Sequence, residues 1–151
     1  MTSLRAWALG SLTVGVLDGL DAVIFFGLRG VRPIRIFQAI ASGLLGKSAF
    51  AGGLSTALLG VGCHFLIATG IVGIYLLASR SFTVLARRPW VCGPLYGLVV
   101  YGMMNYVVVP LSLAANNPKP TAVLVNGLLI HLLGVGLPAA LFARAARRVP
   151  A

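Results

Sequence analysis

Carboxylates are almost absent. Two acidic residues, Asp18 and Asp21, stand against twelve lysines and arginines in 151 residues. Charged residues of both signs make up only 9% of the chain, and the mean hydropathy is +1.00. A soluble domain keeps about a quarter of its residues charged to hold its surface in water, so this composition excludes an ordinary soluble globule. The length allows one domain, residues 1–151. Cysteine is scarce as well. Cys63 and Cys92 fall in or at the edge of apolar runs, where two small apolar fillers are expected rather than a disulfide framework.

The shortage of acids also removes several chemistries. Phosphotransfer to lipid head groups needs carboxylates downstream of an acidic motif such as "DGLDA" to hold divalent metal, and none follows Asp21. An intramembrane aspartyl protease needs acids on two helices, and both acids here share one. Neither a Ser-His-Asp nor a Cys-His spacing stands out. No enzyme is expected, and no metal site. The net charge of +10 does not point to nucleic acid, because the basic residues form no basic and aromatic stripe. They sit at the ends of apolar runs, as membrane-flanking charge does.

Those apolar runs are what the chain has in quantity. Crossing a hydrocarbon core takes about 20 apolar residues, and four segments qualify: residues 4–28, 53–79, 91–113 and 121–143. Backbone groups in lipid must be satisfied within the segment, so each is expected to be a helix. The N-terminal run lacks a small-residue cleavage site and is read as a retained first helix rather than a signal peptide. Pro33, Pro89, Pro118 and Pro120 punctuate the runs, while Pro110 and Pro138 fall inside them and should kink them or mark their ends. Residues 34–46 are too short to span. Ile34, Phe37, Ile40 and Leu44 recur at helical spacing with Arg35, Gln38 and Ser42 on the other face, which predicts a short amphipathic helix in the membrane interface, or alternatively a re-entrant hairpin. The expected fold is therefore an all-α, integral-membrane four-helix bundle with an interfacial helix between the first two spans.

Both acids lie in the first span, where an ionised carboxylate is costly. They are three residues apart and share a helix face, flanked by Gly15 and Gly19, a pair that lets another helix approach closely. Each other span also carries one strongly polar residue with small neighbours. His64 lies between Gly60 and Ala68, Asn105 follows Gly97 and Tyr101, and His131 lies between Gly127 and Gly134. At 1.5 Å per residue, Asp18, His64, Asn105 and His131 all fall within roughly 5 Å of the span centres. They are expected to meet in a midplane polar cluster, with Asp21 one turn away and Arg29 as a further candidate partner for it. Gly15, Gly19, Gly60, Gly97, Gly127 and Gly134 are the expected packing positions.

Such a cluster fixes helix register, relays protons or small ions, or, through His64 and His131, ligates a tetrapyrrole on two helices. No cofactor is predicted; a bis-His tetrapyrrole site is the weakest of the three readings. The first reading makes the chain a scaffold or accessory subunit that works with other membrane subunits or with copies of itself, and the second makes it a transport protein.

Three stretches, "LDGLDAVIFFGLRG" (17–30), "HFLIATGIVGIYLLASR" (64–80) and "GPLYGLVVYGMMNYVVVPLS" (93–112), resemble an uncharacterised family of small bacterial inner-membrane proteins with four helices. The resemblance covers most of the chain. It implies the same topology and location and carries no activity.

With the N-terminus inside, the inner side collects Arg5, Arg80, Arg87, Arg88, Arg144, Arg147 and Arg148, and the outer side Arg29, Arg32, Arg35, Lys47 and Lys119. Seven against five is a positive-inside bias, and it predicts both termini in the cytoplasm. In a cysteine-free background, Ser3→Cys is expected to resist an impermeant thiol reagent applied from outside and Asn117→Cys to react. Labelling at position 3 overturns the orientation.

Overall fold

The apolar runs fold as helices along nearly their whole length in the computed structural model, which describes residues 1–115 and 117–147. No strand occurs among the described residues. Four helices are long and apolar enough to cross a membrane: α1 (Ser3–Gly27), α3 (Gly53–Ser81), α5 (Pro89–Leu111) and α6 (Thr121–Arg147). Among the described residues, two short α-helices, α2 (Pro33–Leu45) and α4 (Thr83–Arg87), and a 3-10 helix, Gly46–Ala51, lie in the connections between them.

The boundaries follow local chemistry. Thr2 caps α1, its hydroxyl accepting the Arg5 N–H. Pro33 and Pro89 occupy the first turns of α2 and α5, where a missing N–H costs nothing. The third span therefore starts two residues before its expected limit of Val91. It ends at Leu111 because Ser112 turns extended. The fourth runs four residues past Ala143, carrying Arg144 and Arg147 on its last turns.

Pro110 and Pro138 do not break their helices. Each follows a π turn, Met104–Val108 and His131–Gly136 respectively. A proline ring collides with the carbonyl four residues back, here that of Tyr106 or Gly134. Widening the preceding turn accommodates the ring while the helix continues.

α6 is the hub, packing against α1, α5 and, over its second half, α3. Its contact with α5 is made backbone to backbone. A Cβ on Gly97 would collide with the His131 carbonyl, and one on Gly136 with the Gly93 carbonyl. α1 meets α3 through Gly15, where a Cβ would lie 2.5 Å from the Phe65 ring. Gly60 receives the backbone of Phe37 from α2 rather than another long helix.

Burial is uneven along the bundle axis. At one end, here the base, lie Ser3, the α3–α5 connection and the last turn of α6. Val72, Tyr75, Ala139, Ala140 and Ala143 are almost wholly buried on that side. The other end, the mouth, holds the α1–α3 and α5–α6 connections. No described residue from Met104 through Ile130 is buried.

α2 forms where expected, ended by Gly46 at φ +60. Burial on its two faces is mixed. Of the polar face, Gln38 and Ser42 are 3% and 4% exposed and Arg35 is exposed; of the apolar face, Ile34, Phe37 and Ile40 are half-buried and Leu44 is 62% exposed. Gln38 Nε2 donates to the Gly53 carbonyl (2.9 Å) and to Thr56 Oγ1 (3.3 Å), which ties it to the start of α3, while Ser42 bonds its own helix at the Ala39 carbonyl (2.6 Å) and Arg35 donates to the Phe50 carbonyl (3.2 Å).

The backbone contacts give a direct test. Gly97→Val is expected to separate α5 from α6 and destabilise the bundle by about 1–3 kcal/mol or more, the usual cost of overpacking. Gly62→Ala and Gly102→Ala, where a Cβ meets nothing within 4 Å, should be neutral or gain up to about 1 kcal/mol of helix propensity. Thermal unfolding in detergent reads both.

Candidate functional site

Asp18, Asp21, His64, Asn105, Asn126 and His131 lie in the mouth half, in three separate helix contacts. In the first, between α1 and α3, the missing side chain of Gly19 admits the imidazole of His64, and that of Gly15 the neighbouring Phe65 ring. The His64 Nε2 lies 2.8 Å from the Gly15 carbonyl. A carbonyl only accepts, so Nε2 carries the proton there. The other nitrogen, Nδ1, lies 3.9 Å from Asp18 Oδ2. The His64 side chain is 11% exposed and that of Asp18 28%. A Cβ on Gly19 would stand 3.3 Å from Nε2, so that glycine sets the approach of the ring.

The second contact joins α1 to α6. Asn126 Nδ2 donates to Asp21 Oδ2 at 2.7 Å. Arg29 takes no part; its guanidinium stacks on Phe25, 3.6 Å from the ring centroid, and donates to the Phe25 carbonyl.

The third joins α5 to α6 around Tyr101. The Tyr101 hydroxyl donates to the Leu124 carbonyl (3.1 Å), and its ring meets His131 edge to face at 5.5 Å. Gly127 makes room for that ring, since a Cβ there would sit 3.1 Å from it. His131 Nδ1 bonds back to the Gly127 carbonyl one turn earlier, and Asn105 Nδ2 likewise to Tyr101, each at the start of a π turn. Lys119, in the α5–α6 connection, donates to Asn105 Oδ1.

The structure thus brings Asp18 and His64 together and leaves Asn105 and His131 in another contact. Asn126 was missed by the sequence reading. That reading took one polar residue per helix at matched depth, and depth says nothing of rotation about the axis. Asn126 and His131 are five residues apart, about 140° around the helix, so one faces α1 and the other α5. Nor do His64 and His131 share an interface, and no group of three His, Cys, Asp or Glu side chains able to hold a metal occurs among the described residues. Gly134 packs against Ile130 of its own helix and lies near Leu17 of α1.

A sealing layer lies directly beneath these polar groups. One turn toward the base from Asp18 is Val14, from His64 is Ala68, and from His131 is Val135. They are 1%, 3% and 2% exposed. Small, buried apolar side chains therefore fill the bundle directly below the polar contacts.

No family model, curated protein or solved structure matches the chain.

Interhelical hydrogen bonds between apolar helices contribute about 0.6–1 kcal/mol each. A double-mutant cycle on Asp21→Ala and Asn126→Ala, read by unfolding in mild detergent, is expected to return a coupling of that size. Zero coupling removes the α1–α6 joint.

Proposed function

We propose that the chain is a multi-pass membrane protein that serves as a scaffold or accessory subunit of a larger membrane assembly, its helices registered by the polar contacts at the mouth. The observation that carries this reading is the sealed layer of Val14, Ala68 and Val135 under Asp18, His64 and His131. Polar contacts with an apolar, buried layer directly below them suit a joint between helices better than a path through a single chain. The exposed apolar surfaces of the four long helices, Leu20, Ile24, Leu58, Leu66 and Val99 among them, suit lipid or neighbouring subunits. The resemblance to small bacterial inner-membrane proteins supports a bacterial inner-membrane location, and the seven-to-five positive-inside bias supports cytoplasmic termini. The exposed Leu44 and Leu45 at the end of α2, with Arg35 and Lys47 on the same connection, suit a place at the opposite membrane surface.

A second reading, proton or ion handling, is favoured by the Asp18–His64 pair, because a carboxylate and an imidazole at membrane depth form the elements of a relay. In an oligomer, the polar contacts of one copy would need a continuation supplied by another.

Reconstitution separates the two. Alone in liposomes, the wild-type chain is expected to give no proton flux above empty-vesicle leak. From native membranes in mild detergent it is expected to arrive in fixed stoichiometry with other membrane subunits. A wild-type flux that Asp18→Asn abolishes while leaving thermal stability intact would overturn the scaffold reading in favour of the relay.

A further inference from the structure

The base carries a cavity that none of these readings uses. It has a volume of about 730 Å³ and is lined by Arg80, Arg87, Arg144, Arg147, Ser3 and Thr83, among others. Four guanidinium groups around one space repel each other, and no acidic side chain is near to offset them. The only two are Asp18 and Asp21, fifteen and eighteen residues along α1 from Ser3, at least about 22 Å away at 1.5 Å per residue. Cations gathered this way fit a polyvalent anion that accepts several charge-assisted hydrogen bonds. Hydroxyls of Ser3 and Thr83 add neutral donors.

A second, almost wholly apolar groove of about 590 Å³ opens from the same place. It shares Ser3, Leu76 and Arg80 with the basic cavity and continues between α1 and α3 as far as Leu66. Trp7 holds the two helices together along it, donating Nε1–H to the Thr69 carbonyl at 3.0 Å. Gly73 leaves room for the indole, since a Cβ would stand 3.2 Å from Nε1. From Leu66 to Leu77 the groove runs eleven residues along α3, about 16 Å. That is about half of a 30 Å hydrocarbon core, the depth of one leaflet.

The geometry points to a binding site for an anionic glycerophospholipid, its phosphate among Arg80, Arg87, Arg144 and Arg147 and one acyl chain in the groove beside Trp7. Basic pockets between helices on the cytoplasmic side are suited to such head groups. A free anion would use the cavity but not the groove, and a zwitterionic lipid would use the groove but gain little from four arginines. The inference rests on the reading that the long helices cross a membrane.

Trp7 is its own reporter. In a Trp90→Phe background it is the sole tryptophan, and bromine on acyl chains quenches it on contact. In bilayers mixing brominated and ordinary lipid, brominated phosphatidylglycerol is expected to compete for the site about five-fold or more better than brominated phosphatidylcholine, the worth of one well-placed arginine. Arg80→Gln with Arg144→Gln should erase the preference while leaving the melting temperature unchanged, and Lys119→Gln at the mouth should retain it. Equal quenching by the two lipids, or a preference that survives the double substitution, overturns the lipid site. So does inorganic phosphate at millimolar concentration displacing the brominated lipid completely, which marks a free-anion site. Absence of quenching by either lipid, with the protein released by alkaline carbonate, overturns the membrane reading itself and the lipid site with it.

Discussion

The close approach of α6 to α5 is the contact on which the remaining geometry depends. Gly97 and Gly136 bring two backbones together with no side chain between them. Between helices that are equally apolar all round, no hydrophobic difference drives association in lipid, and dispersion over short distances takes its place. The approach fixes where α6 stands, and the π turn at His131–Gly136 then sets its rotation. Asn126 is thereby aimed at Asp21 of α1, and His131 at Tyr101 of α5. The second glycine contact, Gly15 against Phe65, does the same for α1 and α3 and seats His64 beside Asp18. Polar pairing here follows from glycine placement and is weaker than it.

Much of the architecture was legible because it rests on one-dimensional quantities. Run length, hydropathy and proline punctuation located the four long helices to within a few residues, and the short helix after Gly30 as well. What failed was rotational. Period 3.6 divided α2 into an apolar and a polar face, but burial does not follow that division. Gln38 is held inside by reaching the Gly53 carbonyl, a partner fifteen residues away that no local pattern announces. The same limit hid Asn126. Its depth differs from that of His131, and only the π turn and the glycine contacts reveal which neighbour each one faces. The glycines were half legible: Gly15, Gly19 and Gly97 sit on helix contacts as expected, whereas Gly93 and Gly136, as close to a neighbouring backbone, flank no polar residue and drew no attention.

The two prolines show how sequence and site connect. Pro110 and Pro138 each demand extra room in the turn before them. That turn begins beside Asn105 in one helix and at His131 in the other. Both side chains back-bond to their own helix, at Tyr101 and Gly127, a habit that bends and loosens helices. Widened turns with polar residues at their start are frequent at sites of function. Here they fall on α5 and α6 at similar height, within a stretch of those helices that buries no described residue, whereas Val72, Tyr75, Ala139, Ala140 and Ala143 toward the base are almost wholly buried.

The molecule is consequently polarised along its axis in packing and in charge. Both carboxylates lie in the mouth half, and the arginines of α3, α4 and α6 lie at the base, around its cavity. Asp18 and the sealing Val14 are a single turn apart, so a proton or ion reaching the Asp18–His64 pair from the mouth meets Val14, Ala68 and Val135 before it meets anything that can accept it. Hydrocarbon offers no partner to a charge, and moving one through such a layer costs several kcal/mol even on the mildest scales. Conduction through one chain would require α1, α3 and α6 to part at their best-packed point. A second copy or another subunit placed against the exposed faces of the mouth asks for no such rearrangement, because the polar groups there are already half open.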